Sequence, residues 1–218
     1  MSRKMRTTQK NFKVFCEGDT EYNYIDEMRR QRRLSITLKP VNMKGGGYSN
    51  FLEQVKTDGT TNCLAKFIII DGDRAVMEDG EKKNLRKLLD YCILQNKSGR
   101  IPHFLIVNYP DFEYVACLHT PTYKGQNVAQ YIIRELGYKD LNEFKTDQKI
   151  YNVLNKKPNS YTLMLSLLRK ENCFINNNYL ISKKYYEIKV STIYDWEKLG
   201  SKGTNINEFF EVINGFNT

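Results

Sequence analysis

The run Lys66-Phe67-Ile68-Ile69-Ile70, closed by Asp71-Gly72-Asp73, constrains this chain more than any other stretch. Four successive large apolar residues without polar alternation cannot lie on a sheet that has one wet face; both faces must be covered. That is the condition of a central strand in a mostly parallel sheet. Two other runs share it: Phe12 to Cys16 (FKVFC) before Glu17-Gly18-Asp19, and His103 to Val107 (HFLIV) between Pro102 and Asn108. A weaker strand is predicted over 36–41. Apolar residues at helical spacing separate these runs. Tyr24, Ile25 and Met28 predict a helix over 22–33, capped by Asp19 or Thr20. Phe51, Leu52 and Val55 predict one over 50–56 after Ser49, and Leu85, Leu88, Leu89 and Cys92 one over 81–95. The resulting βαβ rhythm predicts an α/β fold, a mostly parallel sheet flanked by helices, with right-handed crossovers.

After Pro110 the character changes. Helices are predicted over 112–118, 128–136, 141–154 and 161–169. Asn176-Asn177-Asn178 reads as a turn and 185–190 as a single late strand. The expected division is an α/β core over residues 1–120 and a helical, basic C-terminal region over 121–218, packed on that core.

Composition removes several classes. No apolar stretch is long enough to span a bilayer, and MSRKMRTTQK lacks the apolar segment of a signal peptide. The five cysteines are odd in number and widely spaced, with no CxxC pair, which argues against a zinc knuckle or a disulfide framework. A cytoplasmic protein with no membrane association is expected, its cysteines serving as small buried hydrophobes. With two histidines, His103 and His119, a histidine-built metal centre is not expected.

The net charge is +9, unevenly placed. Residues 1–40 hold ten basic and five acidic side chains and residues 145–202 eleven and five, whereas 41–144 hold thirteen of each. Two basic flanks around a neutral middle fit a polyanion partner, and equally a well-solvated surface of high pI.

In the neutral middle and just before it, acidic residues follow each buried strand: Glu17 and Glu21 after the first, Asp71 and Asp73 after the second, Glu113 after the third. Ligands of open parallel sheets bind outside the carboxyl ends of the strands. Carboxylates gathered at one edge repel one another unless a cation lies between them. Oxygen donors without histidine or cysteine suit Mg²⁺ or Mn²⁺, which can orient phosphate and activate water. Each residue alone has a plainer reading: Asp-Gly-Asp as a turn, Glu21 as a favourable first-turn charge, Glu113 as a cap.

Cys16-Glu17-Gly18-Asp19-Thr20-Glu21-Tyr22-Asn23-Tyr24 resembles the CEGxTExxY opening of the RloB-like family, part of the Toprim group of metal-dependent phosphotransfer domains. FIIIDGD (67–73) resembles the Toprim strand and DxD motif, NYPDFEYVACLH (108–119) the family's NPxFExWLxxH segment, and Val190-Ser191-Thr192-Ile193-Tyr194 its short PSTxx segment. The chain departs from the pattern at Tyr109, and at Tyr114-Val115-Ala116 in place of the bulkier run. The resemblance implies a Toprim-like core with Glu17 as general acid/base and metal contact, and Asp71 and Asp73 as the metal pair. It further implies Glu21 as a second metal-holding acid, Glu113 as a further ligand, and His119 as a phosphate contact or a helix-packing residue. It also implies a divalent-metal-dependent endonuclease acting on RNA, tRNA included, or on DNA. Such a protein serves bacterial anti-phage abortive infection beside an ABC- or AAA-type ATPase partner; homo-oligomerisation is left open. The alternatives are a non-catalytic subunit that docks on the ATPase, and a nucleotide-adding phosphotransferase.

Arg29, Arg30, Arg32 and Arg33 are candidate phosphate contacts or a solvated helix end, and Lys124 a candidate phosphoryl contact or a surface lysine. Lys44-Gly45-Gly46-Gly47 lacks the order of a P-loop, so ATP binding is not expected; it reads as a loop over the site. Tyr194 and Trp196 fit base stacking or packing under the C-terminal helix.

Overall fold

A computed structural model describes residues 11–32, 34 and 37–216. In chain order the elements are β1 (Asn11–Cys16), α1 (Asp19–Gln31), β2 (Thr37–Asn42), α2 (Gly47–Thr57), β3 (Ala65–Asp71), α3 (Asp73–Met77), α4 (Asp79–Lys97), β4 (His103–Tyr109) and α5 (Phe112–Cys117). There follow α6 (Val128–Glu135), α7 (Leu141–Thr146), α8 (Ile150–Leu154), α9 (Ser160–Leu168), β5 (Ile175–Ser182), β6 (Glu187–Tyr194), β7 (Gly203–Thr204) and α10 (Ile206–Phe216).

The unbroken apolar runs become the central strands. The sheet has the order β2-β1-β3-β4-β7, parallel except for the short β7. Because side chains alternate across a strand, each run feeds two layers. Phe12, Val14, Cys16, Phe67, Ile69, Phe104 and Ile106 face α1, α5 and α10. Phe15, Ile68, Ile70, Leu105 and Val107 face α2 and α4. Each such side chain, once fully buried, contributes about 1.5–3 kcal/mol of transfer free energy.

From β1 the chain steps outward to β2, then crosses back over β1 to β3 and on to β4. The order therefore reverses between β1 and β3. Their carboxyl ends flank a crevice that no crossover covers.

The segment after Pro110 is not wholly helical, which corrects the expected C-terminal region. Asn176-Asn177-Asn178 is no turn: it lies in β5, which pairs antiparallel with β6 over eight residues. The predicted helix over 141–154 divides into α7 and α8, with Asp147 between them accepting from the Lys149 N–H at 2.8 Å. The two halves of the chain share contacts. Phe209 of α10 packs edge-on against Phe67 with ring centroids 5.0 Å apart, and β7 joins the main sheet.

Only Asn108 and Tyr109 of β4 pair with β7, so the rest of that edge needs other partners. Side chains supply them. Asn205 Oδ1 accepts from the Val107 N–H at 2.8 Å, while the Asn205 and Asn177 amides donate to Leu105 O at 3.0 and 3.1 Å. Glu208 holds both asparagines in place.

Candidate active site

At the carboxyl edge of β1, β3 and β4 the backbone fixes the acids. Glu17 continues β1, its N–H donating to Ile69 O at 3.1 Å. Its Oε2 accepts from the Asp71 N–H at 2.8 Å, a bond across the switch point. Glu21 lies one helical turn further on, and its Oε2 accepts from the Gly18 N–H at 3.2 Å at the start of α1. Asp71 ends β3 beside Asn108, and its carbonyl accepts from Tyr48 Oη at 2.6 Å. Asp73 begins α3, its Oδ1 accepting from the Arg74 N–H at 2.6 Å. Glu113, in α5, is 2% exposed; its Oε1 accepts from Thr20 Oγ1 at 3.0 Å and meets Lys145 Nζ at 3.5 Å.

Five of these neighbours were named from sequence: Glu17, Glu21, Asp71, Asp73 and Glu113 come to one sheet edge. Four others were not given a role there. Asp111 caps α5 through the Tyr114 N–H, Arg74 approaches Glu17 at 4.0 Å, Tyr48 binds the Asp71 carbonyl, and Lys145 reaches Glu113 from α7. Arg74 directly follows the Asp-Gly-Asp turn and was within reach of sequence reasoning. Lys145 was not, because its placement depends on how α7 packs against α1.

The acids destabilise one another's charged forms. Burial pushes the Glu21 carboxyl up to about 8, helped by the Glu113 and Glu17 charges and opposed by backbone N–H groups. Asp71 is raised well above its ordinary range by burial, then by Glu21, Glu113, Glu17 and Asp111. Burial also raises Glu17, against its bond from the Asp71 N–H and the pull of Arg74. Asp111 rises to about 6 through burial and the adjacent Glu113. Two oxygens, Asp71 Oδ1 and Glu113 Oε2, are buried with no hydrogen-bond partner among the described residues. Buried oxygens of this kind call for an explanation, and a hard cation supplies one, since it would satisfy both and relieve the repulsion. Among the described residues, however, no group of three or more His, Cys, Asp or Glu side chains is placed so that it could hold a metal ion as it stands. By donor type alone, the carboxylate oxygens gathered here are those that suit Mg²⁺ or Mn²⁺.

The glycine run abuts this edge. Gly45, Gly46 and Gly47 have φ of 70°, 100° and 77°, left-handed values that side chains disfavour. The turn lets the Gly45 N–H donate to Glu17 O at 2.8 Å and starts α2, whose Tyr48 N–H donates to Glu81 Oε2 at 2.9 Å.

The remaining sequence candidates lie elsewhere. His119 is fully buried; its Nε2 sits 3.1 Å from Tyr24 Oη, and burial pushes its pKa down to about 3. It is a neutral packing residue without access to phosphate. Arg29 and Arg30 pair with Asp26, and Arg32 stacks over Tyr161 at 4.0 Å. They lie in the last turn of α1 and just past it, about 15–20 Å along the axis from Asp19 at 1.5 Å per residue. Arg33 lies outside the described residues. Lys124 is exposed, in the loop between α5 and α6. Trp196 packs on Phe174 and under Arg86, not beneath the C-terminal helix.

Compared with family models, curated proteins and solved structures, the chain finds no match. No helix among the described residues is long and apolar enough to cross a membrane.

Proposed function

We propose that this protein is a divalent-metal-dependent nuclease that hydrolyses phosphodiester bonds of RNA, including tRNA, or of DNA. The observation that carries this reading is the convergence of carboxylates from three adjacent parallel strand ends on the switch point, with Asp71 Oδ1 and Glu113 Oε2 buried and unpartnered. Asp71, Asp73 and Glu21 would hold Mg²⁺ or Mn²⁺, with Glu113 as a further donor. A divalent cation there supplies charge neutralisation for a phosphate and acidifies water. Glu17 is the proton carrier. Its Oε2 is committed to the Asp71 N–H, so Oε1 is the oxygen able to take a proton from an attacking water and return one to the leaving oxygen. Burial lifts its pKa toward the range in which such exchange is efficient. Tyr48 and the Gly45 N–H brace the backbone on either side of Glu17 and Asp71.

The Toprim-like character of the core, and the role as effector of an anti-phage abortive-infection system in the bacterial cytoplasm beside an ATPase partner, rest on the resemblance of the four motifs to the RloB-like family. Incubating the chain, alone and with that ATPase, with end-labelled tRNA, mRNA and DNA in Mg²⁺ or Mn²⁺ tests the reading. Cleavage by the wild type that disappears in a folded Asp71→Ala variant is expected. An unchanged cleavage rate in that variant would sink the assignment.

A further inference from the structure

Two cations flank the carboxylates, and neither is closed into its ion pair. Arg74 approaches Glu17 Oε1 only through Nε, at 4.0 Å, which leaves the Nη fork outside the contact. Its Nη2 lies 3.9 Å from where a Cβ on Gly45 would stand, so the residue there, at φ 70°, leaves the guanidinium room. Lys145 meets Glu113 Oε1 at 3.5 Å, on an oxygen that already accepts from Thr20. The Arg74 and Lys145 side chains are 42% and 48% exposed, while their acid partners are 11% and 3% exposed. A closed pair looks different: Lys66, 6% exposed, sits 2.9 Å from Asp58 and also donates to the Asp58 carbonyl.

The geometry points to Arg74 and Lys145 as a phosphate clamp, two cationic side chains at the rim of the carboxylate cluster that grip the backbone of a nucleic-acid strand laid across the sheet edge. This rests on the nuclease reading and gives it a substrate contact. Arg74 comes from α3, directly after β3, and Lys145 from α7, so the two cations reach the cluster from separate elements. A phosphate entering here faces six carboxylates, and rim cations offset that field. The guanidinium fork suits a phosphate bidentately, and the ammonium acts as a point charge.

Ca²⁺ in place of Mg²⁺ keeps a strand intact while anisotropy reads the binding of fluorescein-labelled single-stranded RNA and of single-stranded DNA. Arg74→Gln and Lys145→Gln are each expected to weaken binding about tenfold, the scale of one charge-assisted hydrogen bond. Each should also flatten the salt dependence of log K by about 1. Arg74→Lys should restore the salt slope and only part of the affinity, and Lys97→Gln, on the far end of α4, should change neither. Wild-type affinity and slope in both glutamine variants would overturn the clamp and leave the nuclease reading standing. A wild type that binds neither strand would overturn both.

Discussion

Asp71 is where the forces on single residues conflict most. Its main chain is pinned twice, by the N–H to Glu17 and by the carbonyl to Tyr48, while its side chain is buried among Glu21, Glu113, Glu17 and Asp111. The backbone therefore holds the carboxylate in a place it would not choose. Asp71→Asn removes one of the repelling charges and offers the orphaned site an N–H donor. In chelator this variant is expected to melt about 2–4 °C higher than the wild type, equivalent to about 1 kcal/mol at this chain length. Mn²⁺ is expected to raise the Tm of the wild type and not that of the variant. Differential scanning fluorimetry with EDTA and with Mn²⁺ reads both effects. A variant that melts lower in EDTA and still responds to Mn²⁺ would show that the carboxylate is structural. Such a gain in stability alongside a loss of binding is the expected signature of a strained functional group.

At the scale of elements, β1, β3 and β4 are legible in the sequence because strands buried on both faces leave unbroken apolar runs. The acids that follow them are legible for the same reason: the strand ends fix where they go. The β5–β6 hairpin is not. Asn176-Asn177-Asn178 has turn composition, and it becomes a strand through its pairing with β6, with the Asn177 amide reaching a partner 72 residues away on the open edge of β4. Lys145 is hidden likewise, its partner Glu113 lying on another helix. The edge-closing network can be tested through Glu208. Its two oxygens accept from the Asn177 N–H at 2.8 Å, the Asn177 amide at 2.6 Å and the Asn205 amide at 3.2 Å, and burial nonetheless pushes its pKa up to about 8. Glu208→Gln turns an NH₂ group toward those donors. One donor or more then loses its acceptor, at a cost of about 1–3 kcal/mol, which urea unfolding would report. A loss of stability near zero would mean that Asn177 and Asn205 close the edge without it.

Over the whole molecule, two sets of buried groups titrate in opposition. Glu21 and Glu208, at about 8, and Asp111, at about 6, have folded pKa values above the ordinary carboxylate range, as do Glu17 and Asp71. Between about pH 4 and pH 8 the folded chain therefore binds more protons than the unfolded chain through these groups, and stability falls as pH rises across that window. His103 and His119, lowered by burial to about 4 and about 3, act in the other sense. Below about pH 6.5 the unfolded chain protonates them first, so their contribution is lost as pH falls. Five carboxyls against two imidazoles make stability in chelator fall as pH rises from about 5 to about 8. Four of the five carboxyls belong to the candidate site, and a cation binds only their ionised form, in the folded chain. Mg²⁺ or Mn²⁺ should therefore raise Tm little at pH 5 and most at pH 8, flattening the alkaline fall and releasing protons as it binds. Melting curves at both pH values, with and without Mn²⁺, measure this directly. A cation-induced shift that is equal at the two pH values would separate metal binding from these carboxylates, and would take Glu21 and Asp71 out of the proposed metal site.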